Sequence, residues 1–170
     1  GAVRVRVWRE KGMPLVEFRR KAGWLLWLSD AGRLLKAKNP VSRDPGVTRR
    51  YTRDLVDRIT RVIGASNAEH AARLVHRVTH LMDPDHVHEL QLGGVDGAAN
   101  LRMVDRLTNR EIGGRQLRPQ LMSLPDGTPV WIDVLDVADL GRQIAAAVGD
   151  GTLTYRQLMT TFGVAKAVLR

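Results

Sequence analysis

There is no cysteine among the 170 residues. Disulfides are therefore excluded, and so are the paired-thiolate zinc staples that hold many small domains together; the redox compartment is left undetermined. Long hydrophobic runs are also missing. A membrane-spanning helix needs roughly 20 apolar residues, and the best candidate, "AGWLLWLSDAG" at 22–32, is broken by Ser29 and Asp30. No membrane span is expected. The opening "GAVRVRVWREKG" has neither an initiator Met nor the apolar stretch of a signal peptide, and Gly1 reads as a cloning remnant or as the point where a longer polypeptide is cut. Aromatic side chains make up only 5% of the chain, and Trp24 and Trp27, three apart, read as core residues rather than a base-stacking platform.

Negative charge is in short supply as well. Twenty-seven lysines and arginines against 18 acidic residues leave a net charge of +9 and a pI near 10.9. Charge of that sign favours a polyanionic partner such as DNA or RNA. An anionic membrane surface or an acidic inhibitor protein satisfies it equally well, and a solvated basic surface needs no partner. The hydrophobic content of 44% is enough for a core, and the length fits one domain or one core with an appendage.

Residues 1–45 carry short β-like runs, "VRVRVW" and "PLVEFRR". In the first, Val3, Val5 and Val7 alternate with Arg4 and Arg6, the pattern of a half-exposed strand. Pro40 and Pro45 mark a connector. The expected organisation is a short β-rich N-terminal arm or subdomain over 1–45 and a main domain over 46–170. From Thr48 the pattern turns helical, with Tyr51, Leu55, Ile59 and Ile63 on one stripe and Gly64 at its end. A second helix starts at Ser66 or Asn67, carries Ala71, Leu74, Val75 and Val78 on one face, and stops before Pro84. His76 and His80 lie four apart on it, close enough to face one metal; no third ligand is spaced to help them, and a solvated helix face is the ordinary reading. Farther on, "LPDGTPVWIDV" predicts a turn into a strand, and "DLGRQIAAAVG" and "TLTYRQLMTTFG" predict two short helices. The fold class is α+β with helices dominant.

The chemistry concentrates in "DHVHELQLGGVDGAANLRMVDRLTNREIGG", residues 85–114. Asp85 and His86 face opposite sides of a strand unless the strand ends there. The Gly-Gly loop turns the chain back so that "NLRMV" pairs with "DHVHEL", and "DRLTNREIGG" then forms a short helix capped by Asp105 and broken at Gly113. A hairpin followed by a helix brings Asp85, His86 and Asn109 into one pocket. Hydrolysis of a phosphodiester requires an activated water, a cation on the phosphate and donors for the developing charge.

Asp85-His86, Gly93-Gly94, Asn100-Leu101 and a final polar residue on a helix, Asn109, make residues 83–114 similar to the HNH, or ββα-metal, endonuclease family. Intervals of 15 residues from Asp85 to Asn100 and nine from Asn100 to Asn109 match the variant in RNA-guided CRISPR nucleases, which ends in asparagine where most members have histidine. The flanking "NPVSRDPGVTRRYTRDLVDRI" and "IGGRQLRPQLMSLPDGTPVWIDV" resemble C-terminal nuclease domains of bacterial polymorphic toxins, over about residues 40–135. The resemblance implies a ββα-metal core with flanking helices. It implies His86 as the general base, and Asp85 and Asn109 as protein ligands of one Mg²⁺ or Mn²⁺. Asn100 then braces the loop and Arg110 reaches the phosphate.

His88 stands where many members of the family have proline. On a strand it shares a face with His86, and it reads as a loop packer, with a second metal ligand of the kind found in histidine-rich bacteriocin members as the alternative. Zn²⁺ fits less well than Mg²⁺, since zinc prefers imidazole and thiolate. The implied activity is DNA cleavage with little sequence preference, by a toxin domain delivered from a producing bacterium into the cytoplasm of a target cell and held in check by an acidic immunity protein. A ribonuclease toxin and a non-catalytic nucleic-acid-binding module are the rival readings.

Overall fold

The computed structural model describes residues 1–135, 146 and 149–151; the two helical patterns expected within 139–163 fall almost entirely outside the described residues. Strand β1 (Val3–Trp8) runs parallel to β4 (Val130–Leu135), with Val5 opposite Ile132 and Val7 opposite Val134. Val5 and Val7 point into the core and Arg4 stays exposed, as the alternation requires. A two-stranded sheet leaves backbone groups unpaired along its edges. Side chains cover them here. The carboxamide of Gln116 accepts from the Trp8 N–H at 3.0 Å and donates to the Trp8 carbonyl at 2.9 Å, and Gln120 treats Arg6 in the same way at 2.9 and 2.7 Å. On β4 the Ile132 N–H donates to Ser29 Oγ at 2.9 Å.

Helix α1 (Leu15–Asp30) follows Pro14, and its buried stripe consists of Phe18, Ala22, Leu25 and Leu28. "PLVEFRR", expected to be β-like, is the entry to this helix, because its Phe18 belongs to a stripe of helical spacing that continues to Leu28. Trp24 and Trp27 fall off that stripe and are not core residues. Trp27 is 63% exposed, and Trp24 is half-buried under the Arg20 guanidinium, 5.3 Å from its ring centroid. The buried tryptophan is Trp8, whose indole N–H donates to Glu10 at 2.9 Å.

Helix α2 (Pro45–Val62) is capped by Asp44, which accepts from the Gly46 N–H, and α3 (Ala68–His80) by Asn67, which accepts from the His70 N–H at 2.9 Å. The two pack as a helical hairpin. No residue of α2 is buried; the stripe from Tyr51 to Ile63 is half-buried, and Arg49, Arg50, Arg53, Arg58 and Arg61 are exposed.

Strands β2 (Met82–His86) and β3 (Leu101–Asp105) form an antiparallel hairpin with Asp85 opposite Arg102 and His86 opposite Leu101, and α4 (Arg106–Arg110) follows β3 directly. The strand expected at "DHVHEL" therefore starts earlier and ends at His86. The Val87 N–H still reaches the Asn100 carbonyl at 2.8 Å, after which the chain turns into a short 3₁₀ segment, Leu90–Leu92. Asp105 caps α4 through the Thr108 N–H at 3.0 Å. The helix does not break at Gly113. A wider π-helical stretch, Glu111–Leu117, carries it into α5 (Arg118–Leu121).

Val5, Val7, Leu25 and Leu28 share one core with Leu92, Ile112, Leu117, Val130 and Ile132. A division at 45/46, expected between an arm and a main domain, thus runs through a single core.

Candidate active site

Three charged side chains of α1 fasten it to the hairpin. Glu17 is buried, accepts from the Asp105 N–H at 3.0 Å and pairs with Arg20 at 3.0 Å, while Arg20 also donates to the Met103 carbonyl at 3.2 Å. Lys21, fully buried, lies 2.7 Å from Asp85 Oδ2 and 2.5 Å from Glu89 Oε1 and donates to the His86 carbonyl at 3.2 Å. Asp85 Oδ2 is charge-paired in this way but accepts no well-angled hydrogen bond. Burial lowers the Lys21 pKa, yet the two carboxylates outweigh it and hold the ammonium well above the usual lysine range. For Asp85 burial dominates, Lys21 pulls back and Glu89 pushes again, so its carboxyl is pushed up to about 6.

Asp85 and Glu89 open onto a cavity of about 630 Å³ whose wall includes Asn109, Arg110, Arg43 and Arg118. Asp85 and Asn109 thus meet at one site, whereas His86, expected in the same pocket, is buried and does not line it. On the same strand Asp83, two residues before Asp85, receives Arg106 at 3.1 Å, Arg110 at 3.1 Å and the Asn109 amide at 3.2 Å. That carboxylate orients both Asn109 and Arg110.

His86 is at the end of β2, where its backbone no longer has to alternate with Asp85. It is buried, and its Nε2 lies 2.8 Å from Asp96 Oδ1. An ionised carboxylate only accepts, so Nε2 carries the proton of the neutral ring and the Nδ1 lone pair is left for another donor. The other Asp96 oxygen accepts from the Asp44 backbone N–H. That amide first and His86 second hold the Asp96 carboxyl below the usual range.

Asn100 sits inside the loop. It accepts from the His88 N–H at 2.9 Å and donates to the His88 and Val95 carbonyls at 2.9 and 2.8 Å. The His88 Nε2 contacts the Leu92 carbonyl at 2.7 Å, which places it in loop packing. Gly93 takes a left-handed φ of 95°. A Cβ on Gly94 would lie 1.8 Å from the His88 carbonyl oxygen and 2.9 Å from that of Glu89. Gly94→Ala is expected to cost about 1–3 kcal/mol by overpacking against rigid backbone, read as a lower Tm, and to slow any activity that depends on the 88–96 loop; an unchanged Tm would show that the loop yields freely.

Lys21, Glu89, Asp83 and Asp96 were absent from the expected site. Lys21 left a trace: with Glu17 it falls at four-residue spacing before Leu25 on the buried stripe of α1, where a charge demands a partner. Asp96 left none, since its link to His86 depends on how the loop closes. His76 and His80 stack with ring centroids 4.5 Å apart on an exposed face.

Among the described residues, no three or more His, Cys, Asp and Glu side chains are grouped to hold a metal ion. The cavity instead offers the oxygens of Asp85, Glu89 and Asn109. Such a donor set suits a hard ion that keeps its waters and takes further ligands from a phosphate, and it does not suit zinc. Compared with family models, curated proteins and solved structures, the chain matches none of them.

Proposed function

We propose that the chain is a metal-dependent endonuclease of the HNH, ββα-metal kind, cutting DNA with little sequence preference as the toxic domain of a delivered bacterial effector. The observation that carries this reading is the single cavity joining Asp85 and Asn109 to Arg43, Arg110 and Arg118; His86, next to Asp85 in the chain, has its tautomer set by a carboxylate. The arginines bind the phosphodiester. Asp85 and Asn109 hold Mg²⁺ or Mn²⁺, which when bound polarises the phosphate and steadies charge on the leaving oxygen. His86 takes the proton of the attacking water at Nδ1, with Asp96 fixing the ring and stabilising the imidazolium. Asn100 and His88 hold the loop that carries Asp96.

A second basic cavity of about 570 Å³ supports a polyanionic substrate longer than one phosphate. Arg50, Arg58 and Arg61 of α2 line it together with Tyr51, and Gly97 and Ala98 of the Asp96 loop complete it. Contacts of this kind read the backbone and not the bases. The basic surface also suits an acidic immunity protein, which a domain acting in a target-cell cytoplasm requires in the cell that makes it.

Supercoiled plasmid and total RNA, each incubated with the protein in EDTA, Mg²⁺, Mn²⁺ or Zn²⁺, test the reading. Plasmid cleavage with Mg²⁺ or Mn²⁺ and none in EDTA is expected. Preferential loss of RNA would make the chain a ribonuclease, and retarded but intact plasmid would make it a binding module. Asn109→Ala is expected to slow cleavage on the order of 10²-fold, the scale for losing one group that supports transition-state charge, with partial recovery at raised Mn²⁺. Asp85→Ala should resist that rescue, because it removes the charged ligand and leaves Lys21 with one carboxylate. Equal rescue of both variants would remove the distinction between these ligands.

A further inference from the structure

A buried ammonium is stable only beside anionic oxygens. Lys21 has three oxygens around its Nζ: it donates to Glu89 at 2.5 Å and to the His86 carbonyl at 3.2 Å, and it pairs by charge with Asp85 at 2.7 Å. It reaches them from α1, far outside residues 83–114, and two of the three contacts fall on the residues proposed as ligand and base, that to His86 through its backbone carbonyl. A divalent ion drawn to Asp85 therefore meets a carboxylate whose charge is already matched. It also enters a cavity walled by Arg43, Arg110 and Arg118, where the surrounding charge repels cations and attracts anions. A phosphodiester reverses this balance by occupying the arginines and adding anionic oxygens beside Asp85.

We infer that Lys21 is the resident counter-cation of the site: it fixes Asp85 and Glu89 in place and, by sharing their charge, makes binding of the divalent ion conditional on the phosphodiester. Lys21 is a positioning residue in this scheme, acting through Asp85. The inference rests on the proposed function in taking Asp85 as a metal ligand, and its test does not use cleavage.

The test is Mn²⁺ affinity of the full chain without nucleic acid, measured from free Mn²⁺ by electron paramagnetic resonance, with folding checked by circular dichroism. Lys21→Met combined with Glu89→Gln removes one charge of each sign and leaves Asp85 without its ammonium. This double variant is expected to bind Mn²⁺ at least tenfold more tightly than the parent. Adding a phosphorothioate duplex that resists cleavage should tighten Mn²⁺ binding at least tenfold in the parent and by much less in the double variant. A folded double variant within twofold of the parent in both measurements overturns the inference.

Should the double variant fail to fold, Glu89→Gln alone decides. It leaves Lys21 wholly to Asp85 and is expected to weaken Mn²⁺ binding, and equal or tighter binding overturns the inference. The two proposals fail separately. If the affinities change as expected while the parent cuts neither plasmid nor RNA, the nuclease reading falls and the role of Lys21 stands; if the parent cuts and the affinities do not change, the reverse holds.

Discussion

His86→Ala is expected to cut DNA about 10² to 10⁴ times more slowly than the parent, the usual loss on removing a general base, while binding DNA almost as tightly. The separation of rate from affinity follows from where the groups are. His86 is buried at the end of β2 with Asp96 on its Nε2. Binding is expected to draw instead on arginines at the surface: exposed Arg102 on β3 and Arg110 on α4, half-buried Arg106, and the five exposed arginines of α2. Loss of one buried imidazole leaves those charges in place. Affinity in both proteins should then fall with salt, because each arginine that meets a phosphate releases counterions. Asp96→Asn is expected to take part of the same loss, since a carboxamide no longer fixes which ring nitrogen carries the proton. Its rate should depend on pH differently from the parent's, which a purely structural loosening of the loop would not produce. Cleavage by His86→Ala within threefold of the parent removes the assigned base, and a log–log salt slope near zero points to an acidic protein partner instead of DNA.

Lys21→Met is expected to lose about 3–5 kcal/mol of stability, the cost of stranding buried charge after its partner is removed. Methionine fills the space, so the loss is electrostatic: Asp85 and Glu89 remain buried without the ammonium between them. For a chain of this length each kcal/mol lowers Tm by roughly 2–4 °C, so thermal unfolding reads the effect directly. The loss has a direction in pH. In the parent Asp85 is raised from 3.8 to about 6, so the folded state holds that proton more tightly than the unfolded one, and the penalty is absent below pH 3.8 and complete above pH 6. Without Lys21 the main charge pulling Asp85 down is gone and the window extends upward. The deficit of the variant should therefore be larger at pH 8 than at pH 5. Lys21 itself is raised by the two carboxylates, so while they are ionised its contribution is full up to the ordinary lysine value and fades only on further alkalisation. A variant as stable as the parent at pH 8 would show that water or a shifted side chain replaces the ammonium.

The amino-acid sequence by itself determined what depends on neighbours along the chain. The caps Asn67 and Asp105, the half-exposed alternation of Val3, Val5 and Val7, the Pro125-Asp126-Gly127 turn into β4 and the return of the chain from His86 to Leu101 are all local arrangements. Asp85 and Asn109 were legible as a pair for the same reason, since a hairpin running straight into a helix leaves little freedom over where they meet. Element ends were less legible. Beyond His86 the chain turns so that Glu89 meets Lys21, and the helix after β3 runs past Gly113 to residues whose Gln116 and Gln120 side chains bond to β1, contacts that no local pattern announces. Only the tertiary structure decided that the first 45 residues belong to the site. The spacing of Glu17, Lys21 and Leu25 hints that the charge is buried, but nothing in "EFRRKAG" names its partners, Asp85 and Glu89, which lie more than 60 residues away. Asp96 depended in the same way on a loop closed by Asn100 and anchored to the Asp44 amide, because a contact between loop and strand end is set by the packing of both and not by spacing in either.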